Sequence, residues 1–316
     1  MDVPGRSDIE DARSRIAGAV RRTPVLEVGL RDHGVDARVV LKLELTQHTG
    51  SFKVRGALNS VLSLPAHATG VCAASGGNHA AAVAWAARRA GLSADVFVPE
   101  NATPAKLARI LSYGARIHTV QGYVKDALEA CQVYADHNGV PLLHPYDTFE
   151  TVSGAGTTGL EVEDQVSDAD LVLVSCGGGG LYSGLAIALE GTARVQPVEP
   201  EACPDLARAI DAGGPVPVEV GGAAADSLGA PYIGDIAYAV AAKAGVRPVL
   251  VDEDGILGAR RWLWESVRVL AEPGACAALA ALLTGRVTAV PGQTICVIIS
   301  GGNNETLPLD PQVVAR

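Results

Sequence analysis

From residue 38 onward, short runs of β-branched and aliphatic residues alternate with Ala-rich stretches of helical length. A chain with that rhythm folds most readily as a parallel sheet covered by helices on both faces, so the expected class is α/β. Residues 38–43 (RVVLKL) read as a strand and 52–63 as a helix. Strands at 71–74, 95–98 and 116–120 are separated by helices over 78–90 and 104–112, and a helix over 123–136 follows. Thr103 is placed as an N-cap, with Pro104 at the first helical position. Beyond His144-Pro145 the pattern resumes: helix 156–165, strand 171–175, helix 181–190, strand 194–198. The stretch 211–235, rich in Gly, Pro and Ala, lacks periodicity and reads as a long ordered connection near a site. Helices over 254–269 and 274–284 and a strand over 294–299 complete the chain, with no tandem repeats and no low-complexity linker.

The formal charge is −10, which argues against nucleic acid or a membrane surface as a general partner but permits a local anion pocket. No apolar run reaches the ~20 residues of a membrane span. The charged N-terminal segment lacks a hydrophobic signal region, so a cytoplasmic location is expected. The six cysteines form no C-x-x-C pair and no zinc-type cluster; they are expected as buried free thiols in a reducing compartment.

Four constellations carry chemistry. Thr49-Gly50-Ser51-Phe52-Lys53 places one lysine in a small, apolar context. Desolvation there would lower its pKa and make the amine nucleophilic toward an aldehyde. Ser75-Gly76-Gly77-Asn78-His79 lies between a strand and a helix N-terminus, where exposed N–H groups favour a carboxylate. Cys176 followed by Gly177, Gly178, Gly179, Gly180 and Leu181 lets bare backbone wrap an anion such as phosphate. It has neither the Walker lysine nor the glycine spacing of a dinucleotide site. Ser300-Gly301-Gly302-Asn303 follows the last strand, where a hydroxyl can meet a heteroaromatic nitrogen. Each motif alone is compatible with an ordinary turn. A Schiff-base lysine, a phosphate cup and a ring-nitrogen partner together are the parts that pyridoxal phosphate needs.

With these residues in hand, the chain resembles the threonine/serine dehydratase and serine racemase family, fold type II pyridoxal-phosphate enzymes. The resemblance runs from Thr23-Pro24 to Asn304. It also rests on Gln47 to Ala57, His144-Pro145-x-Asp147, Gly154-x-Gly156-Thr157 and Glu272-Pro273-x-Ala275. It implies two α/β domains like those of the tryptophan synthase β-subunit, each a mostly parallel sheet flanked by helices. Residues 1–47 with 147–316 would form the larger, cofactor-binding domain, and 48–146 a smaller one closing over the substrate cleft. It further implies that Lys53 forms the Schiff base and moves protons, and that Phe52 packs near the ring. Asn78 would bond the ring hydroxyl, Gly177 to Gly180 with Leu181 would cup the phosphate, and Ser300 would face the pyridine nitrogen. Ser75, Gly76, Asn78 and His79 would surround the substrate carboxylate. Glu199, the carbonyl of Cys203 and Asp205 occupy positions matching a divalent-cation site, suited to Mg²⁺ or Ca²⁺; a solvated acidic loop, or Asp205 as a helix N-cap, is the other reading. A homodimer is implied by the resemblance alone.

The expected activity is an ammonia-lyase: α,β-elimination of water from L-threonine or L-serine, giving a 2-oxo acid and ammonia. A neutral hydroxyl at Ser300 stabilises a protonated ring less than a carboxylate would, which favours loss of a β-leaving group over transamination. The racemase carries a second serine where this chain has Gly76, so racemisation is the alternative that Gly76 disfavours. Ala223 to Gly229 departs from the Ala-Asp-Gly of many dehydratases, which leaves 3-hydroxyaspartate and phenylserine open as substrates. The cysteine-synthase type of β-replacement enzyme would carry a Thr-Gly-rich phosphate loop instead of four glycines. A catalytically dead binding protein on the same fold is opposed by the intact Lys53 and Ser300.

Overall fold

The computed structural model describes residues 2–304. Its strands are β1 (Val25–Val28), β2 (Arg38–Lys42), β3 (Gly70–Ala74), β4 (Ser93–Pro99), β5 (Arg116–Val120), β6 (Leu171–Ser175), β7 (Arg194–Pro200), β8 (Val249–Val251) and β9 (Thr294–Ile298). The helices are α1 (Arg6–Ile16), α2 (Lys53–Leu62), α3 (Asn78–Ala90), α4 (Pro104–Ser112), α5 (Val124–Asn138), α6 (Phe149–Gln165), α7 (Gly180–Ala188), α8 (Asp205–Ala212), α9 (Ala225–Leu228), α10 (Asp235–Ala244), α11 (Glu253–Val267) and α12 (Pro273–Leu283). One sheet runs β1-β2-β9-β6-β7-β8 and the other β3-β4-β5. Only the edge pair β1/β2 is antiparallel among the described strands. The class is therefore α/β, as the alternation of runs predicts.

Side-chain alternation sorts each central strand between two cores. Val172 and Val174 of β6 pack with α6, α7 and α10, whereas Leu171 and Leu173 pack with α11 and α12. Every residue of β6 and β9 is buried, as central parallel strands require. In the smaller sheet, Val71, Ala73, Val96 and Val98 face α2 and α3, while Cys72 and Phe97 face α5. All six cysteines are buried and unpaired.

Several elements were not legible locally. β1 and β8 are four and three residues long and only partly buried, so neither shows a clear alternation. α1 and α8 bury only three residues each among polar ones. α10 follows directly on the Gly-, Pro- and Ala-rich stretch, which hides its start. α6 begins at Phe149 rather than 156, because its Ser- and Gly-rich opening resembles a loop. Thr148 caps it by accepting the N–H of Thr151 at 3.3 Å. Its glycines permit close helix crossing: a Cβ on Gly184 of α7 would lie 2.6 Å from the backbone nitrogen of Gly156.

Beneath the lysine-bearing helix lies a buried charge network. Arg55, fully buried on α2, donates through Nε to Glu44 at 2.8 Å and through a terminal nitrogen to Glu161 at 2.8 Å. Lys42 on β2 donates to the other Glu161 oxygen at 2.6 Å and to the Thr23 carbonyl at 2.9 Å. The network joins β2, α2 and α6, and so fixes where Lys53 starts its helix.

Candidate active site

Lys53 opens α2 and reaches into a cavity of about 340 Å³ between the two sheets' loops. Its Nζ donates to the carbonyl of Pro145 at 2.7 Å and sits 5.1 Å from the centroid of the Phe52 ring. Burial pulls its pKa down to about 8, with Glu272 opposing the shift. An amine that titrates there can both attack an aldehyde and exchange protons near neutrality.

The turn from Ser75 to His79 forms another wall. Ser75 accepts the N–H of Gly77 through Oγ at 3.1 Å, which shapes the turn into α3. As the first residues of a helix, Asn78 and His79 have N–H groups with no intrahelical acceptor. The His79 ring is buried, and desolvation lowers its pKa to about 3. Its Nε2 lies 2.8 Å from the Leu143 carbonyl and must be the donor, so the ring is a neutral strut and offers no cation. Lys106 of α4 and Asp226 of α9 pair across the mouth of the cavity.

Gly177 to Gly180 turn the chain from β6 into α7, with Gly179 in the left-handed region at φ 87°. Gly178 lines the cavity; Gly177, Gly179, Gly180 and Leu181 are buried behind it. A Cβ at Gly178 would collide with the Tyr146 ring, and one at Gly177 with the Leu228 carbonyl. Bare backbone at a helix N-terminus suits a phosphate. Beside the loop, next to the Leu228 that Gly177 abuts, Ser227 keeps a buried Oγ without a hydrogen-bond partner. A nucleophilic lysine facing a glycine cradle thus fits an aldehyde-bearing phosphate ester. Ser300 is 5% exposed at the end of β9; its carbonyl accepts the Phe52 N–H at 3.1 Å, which places it one residue from Lys53 across the sheet edge.

Two residues to which the sequence assigned no role reach the site through Asn78. Glu272, the N-cap position of α12, accepts from the Asn78 carboxamide at 2.8 Å. Burial raises its pKa to about 7, against the hydrogen bonds from Asn78 and Asn303. Asn303 in turn donates to Asn78 at 2.6 Å. The Glu-Pro step into a helix was visible in the sequence, but nothing local pointed to Asn78, 194 residues away.

Glu199, Cys203 and Asp205 are all buried at the junction of β7 and α8. Asp205 is not the N-cap; that position is Pro204, and Glu199 serves the helix instead, accepting the N–H groups of Leu206 and Ala207 at 2.6 and 3.0 Å. Both Asp205 oxygens are buried without a hydrogen-bond partner. Burial raises Asp205 to about 7 and Glu199 to about 8. Among the described residues no group of three or more His, Cys, Asp or Glu side chains forms a metal cluster. Two orphaned carboxylate oxygens nevertheless suit a hard cation completed by carbonyls and water.

Fold and site together define an α/β protein with a cavity at the carboxyl ends of parallel strands, lined by Lys53 and Gly178, that suits a phosphorylated aldehyde. The chain belongs to the pyridoxal-phosphate dependent enzyme family, whose model matches residues 16–301. It is 34% identical to phenylserine dehydratase of Ralstonia pickettii over 96% of this chain and 94% of that one. It is 36% identical to L-threonine ammonia-lyase of Geobacter sulfurreducens, covering 93% of this chain and 74% of that one. Among solved structures, maize serine racemase superposes with a TM-score of 0.90 at 31% identity, covering 99% of this chain and 96% of that one. The cofactor is therefore pyridoxal phosphate, on a fold type II scaffold whose relatives include ammonia-lyases and racemases. No helix among the described residues is long and apolar enough to cross a membrane.

Proposed function

We propose that this chain is a hydroxy-amino-acid ammonia-lyase that removes water from L-threonine or L-serine and releases ammonia and the 2-oxo acid. The observation that carries the choice of elimination over racemisation is at position 76. The resemblance implies that a racemase of this family would carry a second hydroxyl there, serving the opposite face of Cα. Here a Cβ on Gly76 would face only Ala102 and Pro99, at 3.5 and 3.8 Å, and no acid stands in its place.

Pyridoxal phosphate, when bound through Lys53, supplies the electron sink that acidifies the substrate Cα–H. Gly177 to Gly180 and Leu181 would hold its phosphate, Asn78 its ring oxygen, Phe52 its ring, and Ser300 its pyridine nitrogen. Lys53, with its amine free, would take the Cα proton at Nζ. The N–H groups at Gly76, Asn78 and His79 hold the substrate carboxylate, with Ser75 closing the turn. The β-hydroxyl would leave as water with the proton that Lys53 has taken, and the released enamine takes up water and loses ammonia. The Cα–H and Cβ–O bonds break, no oxidant is needed, and the carbon skeleton is kept. Glu199, Asp205 and the Cys203 carbonyl would hold a divalent cation that relieves two buried carboxylates. Phenylserine and 3-hydroxyaspartate are the other substrates this reading admits.

The test is 2-oxo acid release by holoenzyme offered L-threonine, L-serine, their D-forms, 3-hydroxyaspartate and phenylserine, with Lys53→Ala as control. Oxo acid from an L-substrate, absent in the control, is the expected result. Interconversion of L- and D-serine without oxo acid would overturn it.

A further inference from the structure

We propose that Glu272 and Asn303 are positioning residues that lock the Asn78 carboxamide in one orientation, so that Asn78 presents the cofactor with a single N–H and turns its oxygen away. This rests on the reading above that the cofactor occupies the cavity beside Lys53.

The amide orientation follows from a chain of forced assignments. The Thr49 carbonyl lies 2.8 Å from one terminal atom of Asn303 and can only accept, so that atom is Nδ2. The same nitrogen lies 2.6 Å from a terminal atom of Asn78, which must therefore be Oδ1. The Asn78 nitrogen is then left facing Glu272 Oε1 at 2.8 Å, where a carboxylate accepts. Both ends of the chain demand the same orientation. One N–H of Asn78 goes to Glu272 and one remains.

The backbone is arranged to admit these partners. Thr49 holds φ 59° and ψ 5°, a left-handed conformation that β-branched residues rarely adopt. Strain of that kind persists only where surrounding structure over-determines it; here it sits in the residue whose carbonyl orients Asn303. A Cβ on Gly50 would collide with the Asn303 amide, and a Cβ on Gly301 with the Glu272 carboxylate. Two glycines of the sequence motifs thus make room for the two positioning side chains.

A donor-only amide favours an ionised oxygen on its ligand over a protonated one. Asn78 would therefore lower the pKa of the cofactor's ring oxygen. The charged groups acting on Glu272 itself are Lys53, Asp226 and Arg109.

The experiment reconstitutes apoprotein with pyridoxal phosphate and reads its dissociation constant and the pH midpoint of its visible absorbance band. Asn303→Leu and Glu272→Leu are each expected to weaken binding about tenfold, with Asn303→Leu raising the midpoint. Glu272→Gln, which keeps an acceptor for Asn78, is expected to retain wild-type binding within about threefold. In an Asn78→Leu background, Glu272→Leu and Asn303→Leu should add nothing further, since they act through that amide. Additive losses in that background, or an unmoved midpoint in Asn303→Leu, would overturn the proposal. The band does not depend on turnover: coupled shifts without any oxo acid would sink the ammonia-lyase reading and leave this one standing. Wild-type protein that gives no Lys53-dependent band would sink both.

Discussion

Replacing Arg55 with methionine tests whether the charge network under α2 is held by mutual compensation. Arg55 is fully buried and contacts two carboxylates, Glu44 and Glu161, whereas Lys42 reaches only Glu161. Methionine fills much of the volume but leaves Glu44 without its cationic partner. Breaking a buried pair from one side costs about 3–5 kcal/mol, most of it the stranded charge. The loss should depend on pH through Glu161. In the native protein burial pushes Glu161 up, but Arg55 and Lys42 outweigh it and hold the carboxyl below its usual value. That contribution is present above the unfolded carboxylate pKa and fades as the pH falls through the lowered one. In Arg55→Met only Lys42 opposes burial, so the variant lacks the Arg55 share of the stability gained as pH rises. Urea unfolding midpoints for both proteins, measured from about pH 4 to pH 8, should show a gap that is small in acid and widens toward neutrality. A gap below about 1 kcal/mol at pH 7.5, or one that does not change with pH, would refute the reasoning.

Gly76→Ser should be tolerated, since its Cβ meets only ordinary contacts, with a stability change within about 0.5 kcal/mol; chiral chromatography should then detect D-serine formed from L-serine, absent in the native protein. Because burial brings Lys53 to about 8, with Glu272 opposing, its free-amine fraction rises roughly tenfold per pH unit below that value and saturates above it. Stopped-flow absorbance of cofactor loading should level off by about pH 9; a rate still climbing toward pH 10.5 would show an ordinary lysine. Mg²⁺ or Ca²⁺ at a hundredfold excess over its dissociation constant should stabilise the protein by about 2.7 kcal/mol, read as a raised Tm. The gain should vanish in Asp205→Asn, and an equal gain in both proteins would place the cation elsewhere.

The parts of this protein legible in its residues were those governed by near neighbours. Alternation of apolar runs revealed the central strands, because a strand buried on both faces must be apolar throughout. Bare glycines after β6, a lysine after Thr-Gly-Ser-Phe and the Ser75-Gly76-Gly77-Asn78 step pointed to residues that the structure brings to one cavity, since their chemistry needs adjacent backbone. Short edge strands such as β1 and β8 left no such mark, and α6 began earlier than its Ser- and Gly-rich opening suggested. What only the tertiary structure decided was which distant groups meet. Glu272 and Asn303 reach Asn78 because β9 pairs beside β2 and β6 while α12 starts at the same sheet end. Glu199 rather than Asp205 caps α8, leaving Asp205 buried and unpartnered. Composition and spacing determine which residues can donate, accept or lose a proton. The direction of each hydrogen bond, and hence the pKa of each buried group, is set by partners that only chain topology brings within 3 Å.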